Sequence, residues 1–190
     1  MDITVIAFLA LLLAVAILRL FELRVSRRHQ EELIARGATR VNKPQFRWVV
    51  LVHIGVLIGA ALEVVFLRRP FIPLLAALMF LIFLASNAVR FWVVRTMGQH
   101  WNVQVMDSTR LGVVTSGPFR FVRHPNYAAV FLEMLSLPLI HTAWITAAVG
   151  LVGYACAISQ RIAVEERVLF ANPDYRSAMA GKPRFLPGLF

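Results

Sequence analysis

Five apolar segments, separated by short polar stretches, make up most of the chain. They cover residues 3–20, 48–67, 70–94, 126–140 and 143–162. Because a helix needs about 20 apolar residues to cross the hydrocarbon core of a bilayer, each segment is predicted to be a transmembrane helix. The fourth is short for a full crossing, which would require tilt, a kink at Pro138 or local thinning of the bilayer. The last two segments are expected to form a tight helical hairpin around Pro138 and His141.

The composition supports a membrane protein. Apolar residues make up 59% of the 190 residues, and the mean hydropathy is +0.70, whereas soluble proteins contain about 45–50% apolar residues. We therefore predict an all-α integral membrane protein with about five transmembrane helices.

The distribution of Lys and Arg predicts the orientation of these helices. Residues 19–47, 90–123 and 161–184 carry eighteen of the twenty basic residues, and Arg68 and Arg69 are the other two. The positive-inside rule then predicts an external N-terminus and places the polar segments in the cytoplasm. Asp2 and the lack of a small-residue cleavage site favour a retained anchor over a signal peptide. The first polar loop is expected to continue the first helix and to turn at Asn42-Lys43-Pro44.

The basic residues do not indicate a nucleic-acid-binding protein, although the net charge is +10. They lie between the apolar segments and are not interleaved with aromatic side chains, as a nucleic-acid surface would require. The single cysteine, Cys156, cannot form a disulfide within the chain, and the scattered histidines do not have metal-ligand spacing. We expect neither a nucleic-acid partner nor a metal.

Two parts of the chain are expected to differ in role within a single structural domain. Residues 1–95 contain the first three transmembrane helices. Residues 96–190 are predicted to be the catalytic part, with a cap loop over a ligand, the helical hairpin and a C-terminal cytoplasmic helix. The cap loop, residues 96–123, is long and interrupted by glycines, and loops of this length are usually functional or disordered.

The first segment with candidate chemistry is Arg-His-Pro-Asn-Tyr at 123–127. Pro125 is suited to the first position of a helix, and a helix N-terminus attracts anions. With Arg123 and His124 beside it, this segment suits a carboxylate or a phosphate. It is equally typical of a basic flank at the end of a membrane helix.

The second segment is Arg-x-x-x-Glu-Glu-x-x-Leu at 161–169. Arg161 and Glu165 share a helix face because they are four residues apart. They are expected either to form an ion pair or to hold a ligand, with Arg161 on an anionic group and Glu165 on an amine or on ribose hydroxyls. An anion site and carboxylates at the same membrane face would suit a zwitterionic ligand such as an amino acid.

Ionisable residues inside the apolar segments are costly and therefore candidates for function. Arg90 is expected either to extend to the headgroups or to contact substrate. Glu133 is expected to pair with Arg90 or Asn87, or to face the active site. Glu63 is expected to pair with Arg68, and His53 to form a hydrogen bond between helices.

Taken together, three motifs resemble the isoprenylcysteine carboxyl methyltransferases and their bacterial relatives. These are Leu-Gly-Val-Val-Thr-Ser-Gly-Pro-Phe at 111–119, Arg-His-Pro-Asn-Tyr at 123–127 and the Arg-x-x-x-Glu-Glu-x-x-Leu segment. Tyr175 and the closing Arg-Phe-Leu-Pro-Gly at 184–188 are also similar to that family. The resemblance covers residues 90 to 188, about half of the chain.

This resemblance implies a membrane methyltransferase that binds S-adenosylmethionine in a cytoplasmic pocket without a Rossmann fold. Arg161 and Glu165 are the expected catalytic residues, and Arg161, Arg90 and Glu133 are expected on the substrate side. The expected cofactor-binding residues are Gln104, Leu111, Gly112, Val113, Val114, Phe119, Arg123, His124, Pro125, Asn126, Tyr127, Glu165 and Glu166.

The methyl acceptor stays open at this point. The implied substrate is lipophilic and enters from the membrane, carrying an isoprenylcysteine-like carboxylate or the hydroxyl of a long-chain phenol or pyrone; phospholipid amines are a third class. A carboxylate needs no general base, whereas a phenol or an enol does, with Glu165, Glu166 and Glu133 as candidates. The alternative functions are an NADPH-dependent membrane reductase of the sterol-reductase type and a non-catalytic lipid-binding membrane protein.

Overall fold

Six α-helices and two short strands carry the fold in the computed structural model, which describes residues 2–41, 45–108 and 111–185. The helices are α1 (Ile3–Ala35), α2 (Gln45–Phe66), α3 (Pro73–Met97), α4 (Pro125–Leu139), α5 (Trp144–Leu169) and α6 (Pro173–Met179). The strands are β1 (Thr39–Arg40) and β2 (Met106–Asp107), and 3-10 helices at Gly98–His100 and Gly117–Arg120 lie between α3 and α4. The expected break at 42–44 and the tail residues 186–188 lie outside the described residues.

Four of the described helices are long and apolar enough to cross a membrane. They are Ile3–Ala35, Arg47–Phe66, Pro73–His100 and Trp144–Leu169. Helix α4, with 15 residues, is shorter than the roughly 20 residues of a full crossing. The prediction of an all-α multi-pass membrane protein is confirmed, and the count of five crossings stays a prediction.

The helix ends follow local sequence signals. Asp2 caps α1 by accepting a hydrogen bond from the Thr4 backbone N–H at 3.3 Å. Helices α3, α4 and α6 each have a proline in the first turn, where the missing N–H costs nothing. Gly98, at φ 52°, ends α3 in a conformation that side chains with a Cβ rarely adopt.

Helix α1 continues well beyond its apolar part, as the sequence predicted. Strand β2 belongs to the cap loop and pairs with β1 in an antiparallel two-stranded sheet, which attaches the loop to the end of α1. In this sheet Thr39 faces Asp107 and Arg40 faces Met106. Beneath this sheet, Leu33, Ala38 and Met106 form a small apolar cluster. The N-terminal helix is therefore attached to the segment that was expected to cover a ligand.

Helices α2 and α5 pack closely along a seam of glycines. A Cβ at Gly150 would lie 2.5 Å from Cγ2 of Val56, and one at Gly153 would lie 3.3 Å from Cγ2 of Val52. Small residues at such seams let helix backbones approach each other, a common device in membrane proteins. The seam fixes α5, which carries Arg161 and Glu165, relative to α2.

A buried carboxylate joins the same two helices at the other end of the bundle. Glu63 accepts hydrogen bonds from the backbone N–H groups of Ile145 and Thr146 at 3.1 and 2.7 Å, which are free donors in the first turn of α5. Its ion pair is with Arg69 at 2.8 Å. The expected pairing with Arg68 was therefore wrong by one residue, and Arg68 instead has a left-handed backbone, φ 47°.

Candidate active site

A cavity of about 430 Å³ lies between α1, α2, α4, α5 and the cap loop. Ligand-binding cavities usually measure about 300–1,000 Å³, so its size suits a small molecule. One end is polar and is bounded by the cap loop and the first turn of α4. The other end extends between α1 and α2 and is lined by apolar side chains, among them Ala16, Leu20, Leu23, Val50, Ile54 and Leu57.

The cap loop is held against α1 by two hydrogen bonds to its backbone. Ser26 accepts from the Val103 N–H at 2.9 Å, and His29 Nδ1 donates to the Trp101 carbonyl oxygen at 2.7 Å. The indole of Trp101 is 3% exposed and forms part of the cavity wall. This loop therefore has defined contacts and is not a free flap over the cavity.

Tyr127 lies between the two residues that the sequence predicted to be catalytic. Its hydroxyl donates a hydrogen bond to the Glu165 carboxylate and accepts one from Arg161 Nε at 2.7 Å. The guanidinium carbon of Arg161 also lies 5.7 Å from the centroid of the Tyr127 ring, a cation–π distance. Instead of forming the simple four-residue ion pair that was one expectation, Arg161 and Glu165 are bridged by the phenol.

Arg161 retains binding capacity after this contact. It is 7% exposed, it lines the cavity, and its two terminal nitrogens have no hydrogen-bond partner among the described residues. A guanidinium presents five N–H donors in a planar fork. These donors suit a carboxylate or another planar anion.

Glu166 organises the side chains behind the cavity. Its carboxylate accepts from His124 Nε2 at 3.1 Å and from the guanidinium of Arg184 at 2.7 Å, and it lies 3.3 Å from Arg123 NH1. These hydrogen bonds raise the pKa of the Arg184 guanidinium. The His124 ring, whose orientation this carboxylate fixes, stacks on Tyr127 with 5.4 Å between centroids.

The segment after α6 closes over the start of α4. The Arg123 and His124 backbone N–H groups donate to the carbonyl oxygens of Pro183 and Arg184, both at 2.9 Å. Lys182 Nζ donates to the Phe119 carbonyl oxygen at 2.7 Å. The C-terminal segment 182–185 therefore acts as a strap across the polar end of the cavity.

Asn126 supplies an unused acceptor at the same end. Its Oδ1 is buried and has no hydrogen-bond partner within the described part of the chain, and the residue lines the cavity. Buried polar atoms are nearly always paired, and an exception requires an explanation. A ligand that donates a hydrogen bond from the cavity would satisfy it.

Four charged side chains form a buried chain beside the apolar end. Arg19 NH2 lies 2.6 Å from the Glu133 carboxylate, Arg19 NH1 lies 2.6 Å from Glu22, and Glu22 in turn accepts from Arg90 NH2 at 2.6 Å. The expectation that Glu133 pairs with Arg90 or Asn87 was wrong, because Arg19 of α1 is nearer. Arg90 is 8% exposed and does not extend to the headgroups.

His53 also differs from its expected role as a hydrogen-bond link between helices. Its Nδ1 donates to the Val49 carbonyl oxygen of the same helix at 2.7 Å. Its ring contacts Tyr154 edge-on, with 6.1 Å between the centroids. Both His53 and Tyr154 line the cavity.

Most of the residues predicted from the motifs lie on the cavity wall. Leu111 is an exception, because it packs behind the wall against Leu33, Ala38 and Met106. Glu166 lies behind His124, and Glu133, 1% exposed, lies behind Arg19. The predicted residues on the wall are Arg90, Gln104, Gly112, Val113, Val114, Phe119, Arg123, His124, Pro125, Asn126, Tyr127, Arg161 and Glu165.

The aliphatic wall residues of the apolar helices and the wall residues of α6 were not predicted from the sequence. In a uniformly apolar helix the pattern does not distinguish the cavity face from the lipid face, so Val49, Val130 and Ile158 gave no signal. Tyr175 and Met179 of α6 also line the cavity. Burial raises the pKa of the Tyr175 phenol, so its hydroxyl is neutral at physiological pH.

The apolar end of the cavity reaches the outer surface of the bundle. Leu20 of α1 is 61% exposed and Ile54 of α2 is 47% exposed, yet both also line the cavity. The same side chains therefore face the cavity and the exterior of two candidate membrane spans. The gap between α1 and α2 therefore opens the cavity to the outer surface of the bundle.

Comparison with known proteins matches this part of the chain to one family. The model of the isoprenylcysteine carboxyl methyltransferase (ICMT) family matches residues 77–171, which include α4, α5 and the whole cap loop. An uncharacterized protein of Bacillus subtilis (strain 168), YpbQ, is 28% identical over 164 residues, covering 84% of this chain and 95% of that protein. An uncharacterized protein of Haemophilus influenzae (strain Rd) is 30% identical over 157 residues, covering 80% of this chain and 88% of that protein.

The fold is also similar to that of a solved membrane enzyme. It is the eukaryotic intramembrane Ras methyltransferase, isoprenylcysteine carboxyl methyltransferase, with a TM-score of 0.57 and 18% sequence identity over 73% of this chain. The match covers 52% of that protein, so this chain spans about half the length of the solved structure. At this level of identity the similarity shows a shared membrane fold.

Proposed function

The chain belongs to the isoprenylcysteine carboxyl methyltransferase family, and on that premise we propose that it transfers a methyl group from S-adenosylmethionine to a lipophilic acceptor. The observation that carries this proposal is the set of Tyr127, Arg161 and Glu165 on the wall of one cavity. This cavity extends from a polar end under the cap loop to an apolar end at the lipid-facing surface. A polar cofactor and a membrane-dissolved acceptor can therefore meet in it from opposite sides.

The polar end has donors and acceptors that fit the cofactor. The free guanidinium nitrogens of Arg161 suit its carboxylate, and Glu165 suits its cationic amino group. The unpaired Oδ1 of Asn126 suits a donor such as an exocyclic amine. Trp101 and Phe119 add aromatic surface to the same wall, which suits a planar base.

When bound, S-adenosylmethionine supplies a methyl group from its sulfonium, which a nucleophilic oxygen takes by in-line displacement. Tyr127 holds Arg161 and Glu165 in fixed positions through two hydrogen bonds. Holding the methyl donor and the acceptor in the reactive arrangement contributes up to about 7–11 kcal/mol in ideal cases. The strap and the cap loop exclude water from the polar end, and in a dry site fixed charges act more strongly than in solution.

The acceptor is lipophilic because the apolar end is lined by aliphatic side chains and reaches the hydrocarbon region. We propose that it arrives laterally through the gap between α1 and α2. Its reactive group is a carboxylate or an acidic hydroxyl, since the N–H donors of Arg161 that the cofactor carboxylate leaves unused favour an anion over an amine. Both groups become neutral esters or ethers when methylated, so reaction removes their charge.

The topology that we propose follows from the basic residues. An external N-terminus puts the cap loop, the strap and α6 in the cytoplasm, where the cofactor is made. Residues 96–190 then carry the cofactor site. Residues 1–95 provide the membrane anchor and, through Leu20 and Ile54, one side of the acceptor channel.

Isothermal calorimetry on detergent-purified protein tests the proposal. We expect S-adenosylmethionine and its demethylated product to bind at one site, and His124→Ala and Glu165→Ala to lose that binding. Arg167→Gln is the matched control, because Arg167 follows the two glutamates on α5 but is exposed. Thermal melts of every variant establish that it is folded.

Each outcome of this experiment is decisive for the cofactor. Binding of the methyl donor by wild type and Arg167→Gln, with loss in the two folded alanine variants, supports the site. Binding of NADPH without the methyl donor would replace the proposal with a reductase. If folded wild type bound neither compound, the methyltransferase proposal would be withdrawn.

A further inference from the structure

His53 is a candidate proton acceptor on the cavity wall. A carbonyl oxygen can only accept a hydrogen bond, so the 2.7 Å contact between Nδ1 and the Val49 carbonyl places the imidazole proton on Nδ1. Nε2 then carries a lone pair in the neutral tautomer. Among the described residues Nε2 has no hydrogen-bond partner, which leaves it available to a ligand in the cavity.

The position of this imidazole suits the acceptor rather than the cofactor. His53 lies on α2, one residue before Ile54, which faces both the cavity and the lipid. Its ring contacts Tyr154 edge-on, and the Tyr154 hydroxyl donates to the Tyr127 carbonyl oxygen at 3.4 Å. The Tyr154 side chain therefore connects the His53 ring to the backbone of Tyr127, where the polar and apolar ends of the cavity meet.

The carboxylates that the sequence offered as bases are already engaged. Glu133 forms the ion pair with Arg19, Glu166 binds His124 and Arg184, and Glu165 accepts the Tyr127 hydroxyl proton in a hydrogen bond. These contacts occupy carboxylate oxygens that would otherwise be open to a proton donor in the cavity. By contrast, Nε2 of His53 has no hydrogen-bond partner in the described part of the chain.

The charges that face His53 from the neighbouring helices nearly balance. Arg19 of α1, Arg90 of α3 and Glu133 of α4 act on it electrostatically, and Glu22 lies between the two arginines. Tyr154, from α5, is uncharged. Because Arg19 is paired with Glu133 and Arg90 with Glu22, these helices do not present an unpaired positive charge to an imidazolium formed here.

We propose that His53 Nε2 accepts the proton of a methyl acceptor that carries an acidic hydroxyl, a phenol or an enol. This inference rests on the proposed function and narrows its substrate class. The O–H bond of the acceptor breaks, and its proton passes to Nε2. The oxygen electron pair forms the new bond to the methyl carbon of the sulfonium, and the carbon–sulfur bond breaks with its electron pair going to sulfur. The proton leaves His53 for water as the methylated product departs.

The role of His53 can be tested without methyl transfer by using a phenol whose absorbance changes when it ionises. The probe is a 4-nitrophenol with a long alkyl chain, whose phenolate absorbs at longer wavelength than the phenol. In wild-type protein we expect the midpoint of phenolate formation to fall by about one pH unit or more relative to empty detergent micelles, because proton transfer to Nε2 leaves an imidazolium whose charge stabilises the phenolate. His53→Asn keeps an N–H for the Val49 carbonyl but has no basic nitrogen, and it should return the midpoint to the micelle value.

A second readout separates a base from a packing residue. With the methyl donor present, His53→Asn should slow transfer to a weakly acidic phenol by about 10²- to 10⁴-fold, the usual contribution of a general base. Transfer to a fatty carboxylate, which is already ionised, should change by less than about tenfold. His53→Gln provides a second non-basic variant, and His141→Asn is the control, because His141 is a buried histidine that lies against Phe8 and Phe71 at the other end of the bundle.

Calorimetry of the methyl donor distinguishes the two proposals. If wild type and His53→Asn both bind it but the phenol midpoint is the same in the two proteins, His53 is not the proton acceptor and the methyltransferase function stands. The same conclusion follows if His100→Asn, which alters another histidine on the cavity wall, abolishes the shift while His53→Asn does not. If folded wild type does not bind the methyl donor, both proposals fail.

Discussion

Arg19 of α1 and Glu133 of α4 form a 2.6 Å ion pair although 114 positions separate them in the chain. Their side chains are 13% and 2% exposed, so the pair is buried in a bundle of apolar helices. Removing two charges from water is expensive, and the mutual attraction compensates only when the geometry is good. Here Glu22 and Arg90 extend the pair into a chain of alternating charge that has no net charge.

The first prediction concerns this charged chain. Arg19→Met leaves Glu133 buried and unpaired, which should reduce the free energy of unfolding by about 3–5 kcal/mol. Arg19→Met/Glu133→Met removes one charge of each sign and should lose less than the sum of the single variants. Thermal and denaturant unfolding in detergent measure both. The exposed Arg24→Met is the control, and equal stability of Arg19→Met and Arg24→Met would contradict the prediction.

The second prediction concerns the link between α2 and α5. Glu63→Leu leaves the first N–H groups of α5 without an acceptor, so the free energy of unfolding should fall by about 1–3 kcal/mol. Binding of S-adenosylmethionine by the folded variant should be unchanged, because Glu63 is ten residues and about 15 Å along α2 from His53. Calorimetry and melting curves check the two parts, with the exposed Glu31→Leu as reference. A large loss of affinity would show that this end of the bundle is coupled to the cavity.

The third prediction tests the side chains that support the proposed cofactor site. Glu166→Gln removes the charge that holds His124, Arg123 and Arg184 together. We expect a 10- to 100-fold loss of affinity for S-adenosylmethionine, corresponding to about 1.5–3 kcal/mol for hydrogen bonds to a charged group. Arg184→Gln should lose less, because that side chain is 49% exposed and its ion pair is screened by water. A larger loss of affinity in Arg184→Gln than in Glu166→Gln would contradict the prediction and show that the strap contributes more to cofactor binding than the Glu166 carboxylate does.

A fourth prediction compares two asparagines on the cavity wall. Both polar groups of the Asn102 amide have partners within the protein, since Nδ2 donates to the His100 carbonyl oxygen and Oδ1 accepts from the Gln104 N–H. Asn126 has the unpaired buried Oδ1. Asn102→Ala should therefore lower Tm, whereas Asn126→Ala should leave the ligand-free Tm unchanged or higher and weaken binding of the methyl donor by about tenfold. If Asn126→Ala bound the donor with wild-type affinity, its oxygen would not contact the ligand.

Long apolar runs and turn residues predicted the helices well. The segment 143–162 corresponds to α5, which begins at Trp144, and Pro125 starts α4 as expected. Helix α3 begins at Pro73, three residues after the predicted start at Pro70. The extension of α1 was anticipated from its mixed charges. These features depend on local physics, namely the length of apolar sequence and the conformational limits of proline and glycine, so one sequence is enough to infer them.

Contacts between distant segments were much harder to predict. The four-residue rule relates Arg161 to Glu165, but it cannot place the Tyr127 hydroxyl, 34 positions before Arg161, between them. In the same way Arg19 was classed as a flanking basic residue, because nothing in its neighbourhood points to Glu133. The apolar half of the cavity gave no periodic signal, since its walls and the lipid-facing surface use the same aliphatic residues.

Because Leu20 and Ile54 face both the cavity and the outer surface, the concentration that matters for the acceptor is its concentration in the membrane. A compound that reaches the cavity between α1 and α2 is drawn from a two-dimensional reservoir, and its occupancy depends on its mole fraction among lipids and detergent. Diluting the sample with buffer would then leave the rate nearly constant, whereas adding empty vesicles would slow it. Lipid tails would compete with the acceptor for the gap between α1 and α2. The rate would therefore depend on bilayer composition, as the rate of a soluble enzyme depends on the concentration of a competitive inhibitor.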